Sequence, residues 1–174
     1  IAEKFAARIT VAALPGTFLS PGQAVVYIAH YDEADVEEEC ELKIQSAFIV
    51  GRSRTFDEDP RFGLIALSEI ASRALSSAVN DPGTAIEIIG SLVRVFDRWE
   101  RSRGQSGTQD VVFDRVVVPE LRIDDMFDDA FNPISRDGAA ILEVSIRLQK
   151  ALYSLTAHGH ADTIITAKKH ARNA

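Results

Sequence analysis

The chain has 174 residues, of which 46% are hydrophobic and 26% are charged, and its formal net charge is −7 at pH 7. This apolar content is ample for a packed core, and the length suits one domain or one domain with a small addition. With ten Gly and six Pro, a disordered or collagen-like chain is excluded. The acidic balance argues against nucleic acid as a partner. A lone cysteine, Cys40, excludes a disulfide framework.

The longest segment free of Asp, Glu, Lys and Arg runs from residue 9 to residue 31, which is long enough to cross a bilayer. It contains Pro-Gly pairs at 15–16 and 21–22, and two such turns cannot sit in a lipid-exposed helix. We therefore predict strands and turns in this segment. The start at Ile1, inside an amphipathic stretch, leads us to expect a piece of a longer protein.

Residues 1–50 are predicted to form a small β-rich module. An apolar run over 25–28 follows the second Pro-Gly pair, and the apolar residues within 42–50 are interpreted as another strand. The acidic run 32–39 lies between these two segments. We interpret it as a solvated loop or helix face, and the alternative is a site for a cation or a basic partner.

The remainder of the chain, 51–174, is predicted to be a mainly helical domain. Apolar side chains recur at helical spacing after the Asp-Pro pairs 59–60 and 81–82. Asp is a good N-cap acceptor, and Pro at the first helical position lacks an N–H that would have no partner there. The two helices, with a tight corner at 79–80, are expected to form an antiparallel hairpin.

Further along the chain, a short strand or hairpin is predicted near 111–118 as a β insertion. A short helix is expected over 123–131, ending at the Asn-Pro pair 132–133, and a longer one over 135–156. A last helix is expected over 161–172. Together these elements predict an α+β chain, with a small N-terminal β module followed by the mainly helical domain.

Polar side chains cluster around the two predicted helix starts. Two arginines at i and i+2 of an extended segment point the same way and suit a phosphate or carboxylate, and the helix start after Pro82 would add N–H donors. The structural alternative is that the aspartates cap helices, the arginines bind loop carboxylates, and Arg73 pairs with Glu69. The candidate ligand- or partner-binding residues are Arg52, Arg54, Asp59, Arg73, Asn80, Asp81 and Thr84.

Motifs for catalysis or metal binding are missing from the sequence. It contains no G-x-S-x-G, Walker, dinucleotide or zincin pattern, and the three glutamates before Cys40 disfavour its thiolate. The four histidines are interpreted as surface imidazoles, because His158 and His160 have too few neighbouring ligands for a structural metal. The basic end, 168–172, would complement the dipole of the last helix, or contact a membrane surface. We predict no catalytic residue, metal or cofactor.

Three strings carry a resemblance to a known family: GRSRT at 51–55, DPRFG at 59–63 and ASRALSSAVNDPGTA at 71–85. On these strings the chain resembles a bacterial family of predicted membrane proteins, the domain-of-unknown-function family 2254. The resemblance extends from the Pro-Gly strands to RVVVP at 115–119 and the helices after it. It implies a cell-membrane protein with N-terminal transmembrane helices, followed by a soluble cytoplasmic domain that this chain would represent. It implies no reaction.

The expected function is that of an extramembrane regulatory, sensing or assembly domain of a bacterial integral membrane protein. Its expected partners are its own transmembrane region, a second copy of the chain and an anionic ligand. The alternative is a hydrolase or transferase acting on an anionic small molecule, with an anion clamp of Arg52, Arg54 and Arg73. Its general base would be Asp59 or Asp81. A third possibility is a structural plug or gate of a channel.

Overall fold

The computed structural model describes residues 1–30, 38–105, 112–157 and 159–174. The described residues form a small three-stranded sheet and six helices, which confirms the predicted α+β class with its β module at the N-terminus. Contacts divide the chain into two compact units, and each is described by itself below.

The β unit comprises Ile1–Asp59 and Gln109–Glu120. Its central strand β1 (Ala7–Val11) pairs antiparallel with β2 (Val26–His30) and parallel with the short β3 (Val116–Val117). The predicted strand over 25–28 therefore exists, shifted by one residue at its start. Because β3 comes from far along the chain, the β unit is closed by a segment that sequence analysis assigned to the helical domain.

The uncharged segment after residue 9 forms strands and turns, as predicted, up to residue 30, where the described part ends. The backbone N–H of Thr17 donates to the Leu14 carbonyl across the first Pro-Gly pair. Gln23 donates to Ser20 across the second pair in the same way. The glycine of each pair has φ +83°, a conformation that only Gly adopts without steric cost.

The strand predicted within 42–50 is wrong, because Glu38–Gln45 form the helix α1. Cys40 and Ile44 lie one helical turn apart and are both buried, so the helix has an apolar side to pack. Two residues of the acidic run fall in its first turn, where carboxylates are favourable. The earlier part of that run, 32–37, lies outside the described residues.

A strand or hairpin was predicted near 111–118, and residue 111 lies outside the described residues. Within 112–118 the strand is limited to β3. Residues 112–115 form a bend and a turn, in which the Val116 N–H donates to the Phe113 carbonyl. The core of the β unit is small. Its buried apolar side chains are Ala2, Ile9, Cys40 and Ile44, packed against Phe5, Val26, Ile28, Phe48 and Val116.

The helical unit comprises Pro60–Thr108 and Leu121–Ala174. Two helices begin directly at the Asp-Pro pairs, as predicted. They are joined by a short turn and pack against each other. Of the three helices that follow, the first two pack on this pair and the last packs on those two. The helices are α2 (Pro60–Ala74), α3 (Pro82–Gln105), α4 (Ile123–Gly138), α5 (Leu142–Leu155) and α6 (Ala161–Asn173).

Three aromatic rings lie at the centre of the helical unit. Phe96 of α3 contacts Phe127 and Phe131 of α4, with ring centroids 4.5 Å and 5.5 Å apart, and all three side chains are fully buried. Leucine and isoleucine side chains from α3, α4 and α5 complete this core. Since a buried Phe removes a large apolar area from water, α4 is held on this face along its length.

The helix end predicted at 132–133 is wrong, because α4 continues through Pro133 to Gly138. A proline inside a helix removes one backbone hydrogen bond, here the one that the Asp129 carbonyl would accept. The helix continues because Phe131 and Ile134, on either side of Pro133, are both buried in the core. Tertiary packing outweighs the local cost at this position.

The long helix predicted over 135–156 is also wrong, since α4 ends at Gly138 and α5 begins at Leu142. The Ile141 N–H donates to the Gly138 carbonyl at 2.9 Å and closes the turn between the two helices. A Cβ at Gly138 would lie 2.6 Å from Cγ1 of Val144. The glycine therefore permits the close approach of the two helix ends.

Candidate functional site

Arg54 and Asp59 form an ion pair in the β unit. The Arg54 Nε–H donates to a carboxylate oxygen of Asp59, and the Asp59 side chain is 2% exposed. Gly16, at the first Pro-Gly turn, lies directly over this pair, since a Cβ on Gly16 would overlap the Asp59 carboxylate. The ion pair lies within the loop before α2 and packs directly against the turn after β1.

The two arginines of the predicted anion-binding pair, Arg52 and Arg54, have different surroundings. Arg54 uses its guanidinium for Asp59, whereas Arg52 is exposed and makes no ion pair with any residue that the structure describes. Of this pair, Arg52 is the guanidinium that an anionic ligand can reach without displacing an internal carboxylate.

The turn between α2 and α3, residues 75–81, is held by its own backbone. The Asn80 N–H donates to the Ser76 carbonyl and the Asp81 N–H to the Ala74 carbonyl, both at 2.8 Å. Asn80 has φ +50°, in the left-handed region that Asn tolerates better than most residues. The corner predicted at 79–80 therefore has a defined shape.

Asp81 caps α3, as the Asp-Pro pattern predicted. One carboxylate oxygen accepts the Thr84 N–H at 3.1 Å, and the other accepts the Thr84 hydroxyl at 2.6 Å. The hydroxyl bond is the main reason that the pKa of Asp81 is below its usual range, and the Thr84 N–H lowers it further. A carboxylate held in this way is a weakened proton acceptor.

Arg73 lies on the exposed side of α2 near the same turn. The predicted ion pair between Arg73 and Glu69 does not form, although both residues belong to the part of the chain that the structure describes. The seven candidate residues thus divide into three in the β unit and four in the helical unit. A single site that joins both groups stays a prediction.

A buried polar network that sequence analysis missed lies at the start of α6. Glu100 of α3 accepts the His160 N–H at 2.6 Å, contacts the His160 Nδ1 at 2.7 Å, and accepts the Thr163 hydroxyl at 2.8 Å. Burial alone would raise the pKa of Glu100, but these bonds outweigh burial and place it below the usual range. Arg103 binds both Glu100 and Asp162.

This network ties α3 to the N-terminus of α6 and satisfies the Glu100 carboxylate, which is 8% exposed, within the protein. It is a structural connection, because every strong acceptor in it already has a donor. Sequence analysis had no signal for it, since Glu100 and His160 are sixty positions apart.

His170 is buried in the helical unit, so its interpretation as a surface imidazole is wrong. Its ring packs against Phe127, and its Nε2 lies 3.3 Å from the Asp128 carboxylate without the alignment of a hydrogen bond. Burial lowers the pKa of His170, against the attraction of Asp128 and Asp124. His158 lies outside the described residues.

A groove of about 500 Å³ lies between α2 and α4. Ser68, Glu69 and Asp128 are among its lining residues, and the Ser68 hydroxyl is buried without a hydrogen-bond partner. Asp129, also in the lining, is neutralised by Arg61 at 2.6 Å. Among the described residues, no group of three or more His, Cys, Asp or Glu side chains is placed to hold a metal ion.

The fold is that of an α+β protein with one helical unit and one β unit. The family model described as "Predicted membrane protein (DUF2254)" matches residues 1–154. The chain therefore belongs to this family of predicted membrane proteins, which confirms the resemblance seen in the sequence.

Relatives of this chain occur in mycobacteria. Over 46 residues it is 50% identical to the uncharacterized protein Mb1321c of Mycobacterium bovis and to the uncharacterized protein Rv1290c of Mycobacterium tuberculosis. The matched segment is 26% of this chain and 9% of each relative. No solved structure matches the chain. None of the helices in the described ranges combines the length and the apolar character that crossing a membrane requires.

Proposed function

We propose that this chain is an extramembrane regulatory, sensing or assembly domain of a bacterial membrane protein, and that it acts by binding. Membership of a family of predicted membrane proteins supports the membrane context. The proposed partner is the protein's own transmembrane region, and the proposed location of the domain is the cytoplasmic side of the cell membrane.

One observation carries this proposal: the turn between α2 and α3 presents an exposed surface of defined shape. Val79 is 54% exposed at its tip, next to the exposed Ser77 and Ala78. The hydrogen bonds of Asn80 and Asp81 hold the backbone of this turn. Such a surface loses little conformational entropy when it meets a partner, so its apolar tip suits a protein contact.

Catalysis receives less support from the same residues. Asp59 is bound by Arg54, and Asp81 is bound by Thr84, so both proposed bases already serve as acceptors within the chain. A lowered pKa makes Asp81 a weaker base still. We therefore assign an anionic ligand to a single exposed arginine as a binding event, either Arg52 of the β unit or Arg73 of the helical unit.

Site-specific photocrosslinking in the full-length protein, expressed in its bacterial membrane, tests the contact. A photoreactive side chain at Val79 is expected to crosslink to a peptide of the protein's own transmembrane region. The control position is Arg98, exposed in the middle of α3. Equal crosslinking at both positions, or none at Val79, would contradict the proposal.

The proposed side of the membrane has a separate test. A cysteine introduced at the exposed Arg98 should react with a membrane-impermeant maleimide only after the cells are permeabilised. Labelling in intact cells would place the domain outside the cytoplasm.

The proposed binding of an anion is tested by thermal shift with inorganic phosphate and with citrate. A stabilisation that is lost in one of the variants Arg52→Ala and Arg73→Ala, and kept in the other, would assign the ligand to the arginine that was replaced. Equal shifts in wild type and both variants would leave the domain without this anion site.

A further inference from the structure

The outer face of α5 carries an apolar stripe. Leu142, Ile146 and Tyr153 are 69%, 45% and 77% exposed, although all three are large and apolar. Their spacing of four and seven residues places them on one side of the helix. The buried side chains of α5, such as Val144 and Leu148, point to the opposite side and into the core.

Charged side chains flank this stripe in a polarised order. Glu143 lies near the start of the helix, and Arg147 and Lys150 lie near its middle. All three are exposed, and none makes an ion pair within the described part of the chain. The flank of the stripe is therefore acidic near the start of the helix and basic near its middle.

Two copies of this surface are complementary in one orientation. In an antiparallel pair, Leu142 of one helix lies opposite Tyr153 of the other, and the two Ile146 side chains lie near the two-fold axis. The same arrangement brings Glu143 of each copy towards Lys150 of the other. In a parallel pair, Glu143 and Lys150 of the two copies would point to opposite outer sides of the contact, because both lie on the same flank of the helix, and this attraction would be lost.

We propose that the outer face of α5 binds the same face of a second copy of the chain, antiparallel and about a two-fold axis. This inference rests on the assembly role proposed above and names its partner. A uniform membrane surface would meet both an acid and bases along the stripe, whereas a second copy in the antiparallel orientation sets the acid of each helix against a base of the other.

Sedimentation equilibrium of the chain tests the proposal. Wild type is expected to dimerise, and Leu142→Ser and Tyr153→Ser are expected to weaken the dimer by on the order of tenfold or more, since each removes a large apolar side chain from the contact. These positions are exposed, so the far-UV circular dichroism melt of each variant should match wild type and show that the fold is intact.

Charge reversal tests the orientation. Glu143→Lys and Lys150→Glu should each weaken the dimer several-fold, because each sets like charges together. The double variant should recover most of the wild-type association, since it restores opposite charges across the two-fold axis. A double variant as weak as the sum of the two single variants would overturn the antiparallel arrangement.

Two other results would overturn the proposal as a whole. One is a wild-type chain that is monomeric at every concentration, or a dimer that Leu142→Ser leaves unchanged. The other is a monomer that floats with phosphatidylglycerol vesicles and loses this in Leu142→Ser, which would assign the stripe to lipid. Loss of the Val79 crosslink with an intact dimer would contradict only the turn contact, so the two failures are distinguishable.

Discussion

The two units of this chain bury apolar surface to very different extents. In the helical unit, Phe96, Phe127 and Phe131 sit in a continuous core to which five helices contribute. In the β unit, the buried core consists of small or medium side chains such as Ile9 and Ile44. Since apolar burial is the dominant favourable term in folding, the helical unit has the larger source of stability.

The β unit depends more on turns and ion pairs. Arg54 and Asp59 meet beneath the Gly16 turn, and Glu39 of α1 binds both Lys43 and Lys4 at its surface. These bonds, that of Lys43 first, lower the pKa of Glu39 to about 2. Substitutions that truncate core side chains should therefore destabilise the helical unit most. Substitutions that strain the backbone should destabilise the β unit most.

The largest effect is expected from Phe127→Ala. Removing this ring leaves a cavity between α3 and α4, and the free energy of unfolding should fall by about 3–5 kcal/mol. Chemical denaturation followed by circular dichroism measures this loss. Val95→Ala, at an exposed position of α3, is the control and should change stability by less than about 0.5 kcal/mol. A loss below about 1 kcal/mol for Phe127→Ala would contradict the assigned core.

A matched pair of glycines tests the β unit. Gly16 and Gly22 have the same φ of +83°, but a Cβ at Gly22 meets open space, whereas one at Gly16 meets Asp59. Gly22→Ala should cost about 1–2 kcal/mol for the backbone alone, and Gly16→Ala clearly more. Hydrogen exchange of the β1 and β2 amides measures the difference. Equal exchange in the two variants would show that the ion pair does not support this turn.

A smaller effect is expected at the α3 cap. Asp81→Ala removes the acceptor for the Thr84 N–H, and Tm should fall by about 2–5 °C. Asp81→Asn keeps a capping oxygen and should stay close to wild type at pH 7. If Asp81→Ala melts like wild type and yet loses the Val79 crosslink, Asp81 belongs to the partner contact instead.

The smallest effect concerns pH and His170, a residue of α6 whose ring packs against Phe127 of α4. Its pKa is lower in the folded than in the unfolded chain, so the unfolded chain binds more protons between these two values. Stability should be fully present above about pH 6.5 and fall as the pH drops through the folded pKa. A single group contributes at most about 1.4 kcal/mol per pH unit.

In His170→Gln this part of the pH dependence should disappear, while acid titration of the carboxylates remains. Thermal melts of both proteins between pH 8 and pH 5 provide the comparison. Parallel Tm curves for the two proteins would contradict the burial of a neutral imidazole at this position.

Local chemistry was sufficient to predict several elements. The starts of α2 and α3 follow from the two Asp-Pro pairs, because a cap acceptor and a proline act within a single turn of helix. The Asp81 cap at the candidate site was predictable for the same reason. The Pro-Gly pairs likewise argued against a spanning helix over 9–31. Proline lacks the N–H that a helix needs, and glycine allows the positive φ of a turn.

Other elements depended on partners far away in the chain. The helix α1 exists where its apolar residues indicated a strand, because Cys40 and Ile44 pack against the sheet of the β unit. The helix α4 passes through Pro133 because the aromatic core holds both of its halves. The network around Glu100 joins this residue to His160, sixty positions away, and no pattern of local spacing reports such a pair.

The sequence by itself determined the α+β class, the two helix starts at the Asp-Pro pairs and the family of predicted membrane proteins. These depend on interactions within a few residues, or on strings of residues that can be compared directly. The tertiary structure alone decided where α4 ends, that Arg54 is bound by Asp59, and that the apolar stripe of α5 faces outward. The reason is that burial is a property of the packed chain, and a residue's exposure depends on neighbours that its own segment does not specify.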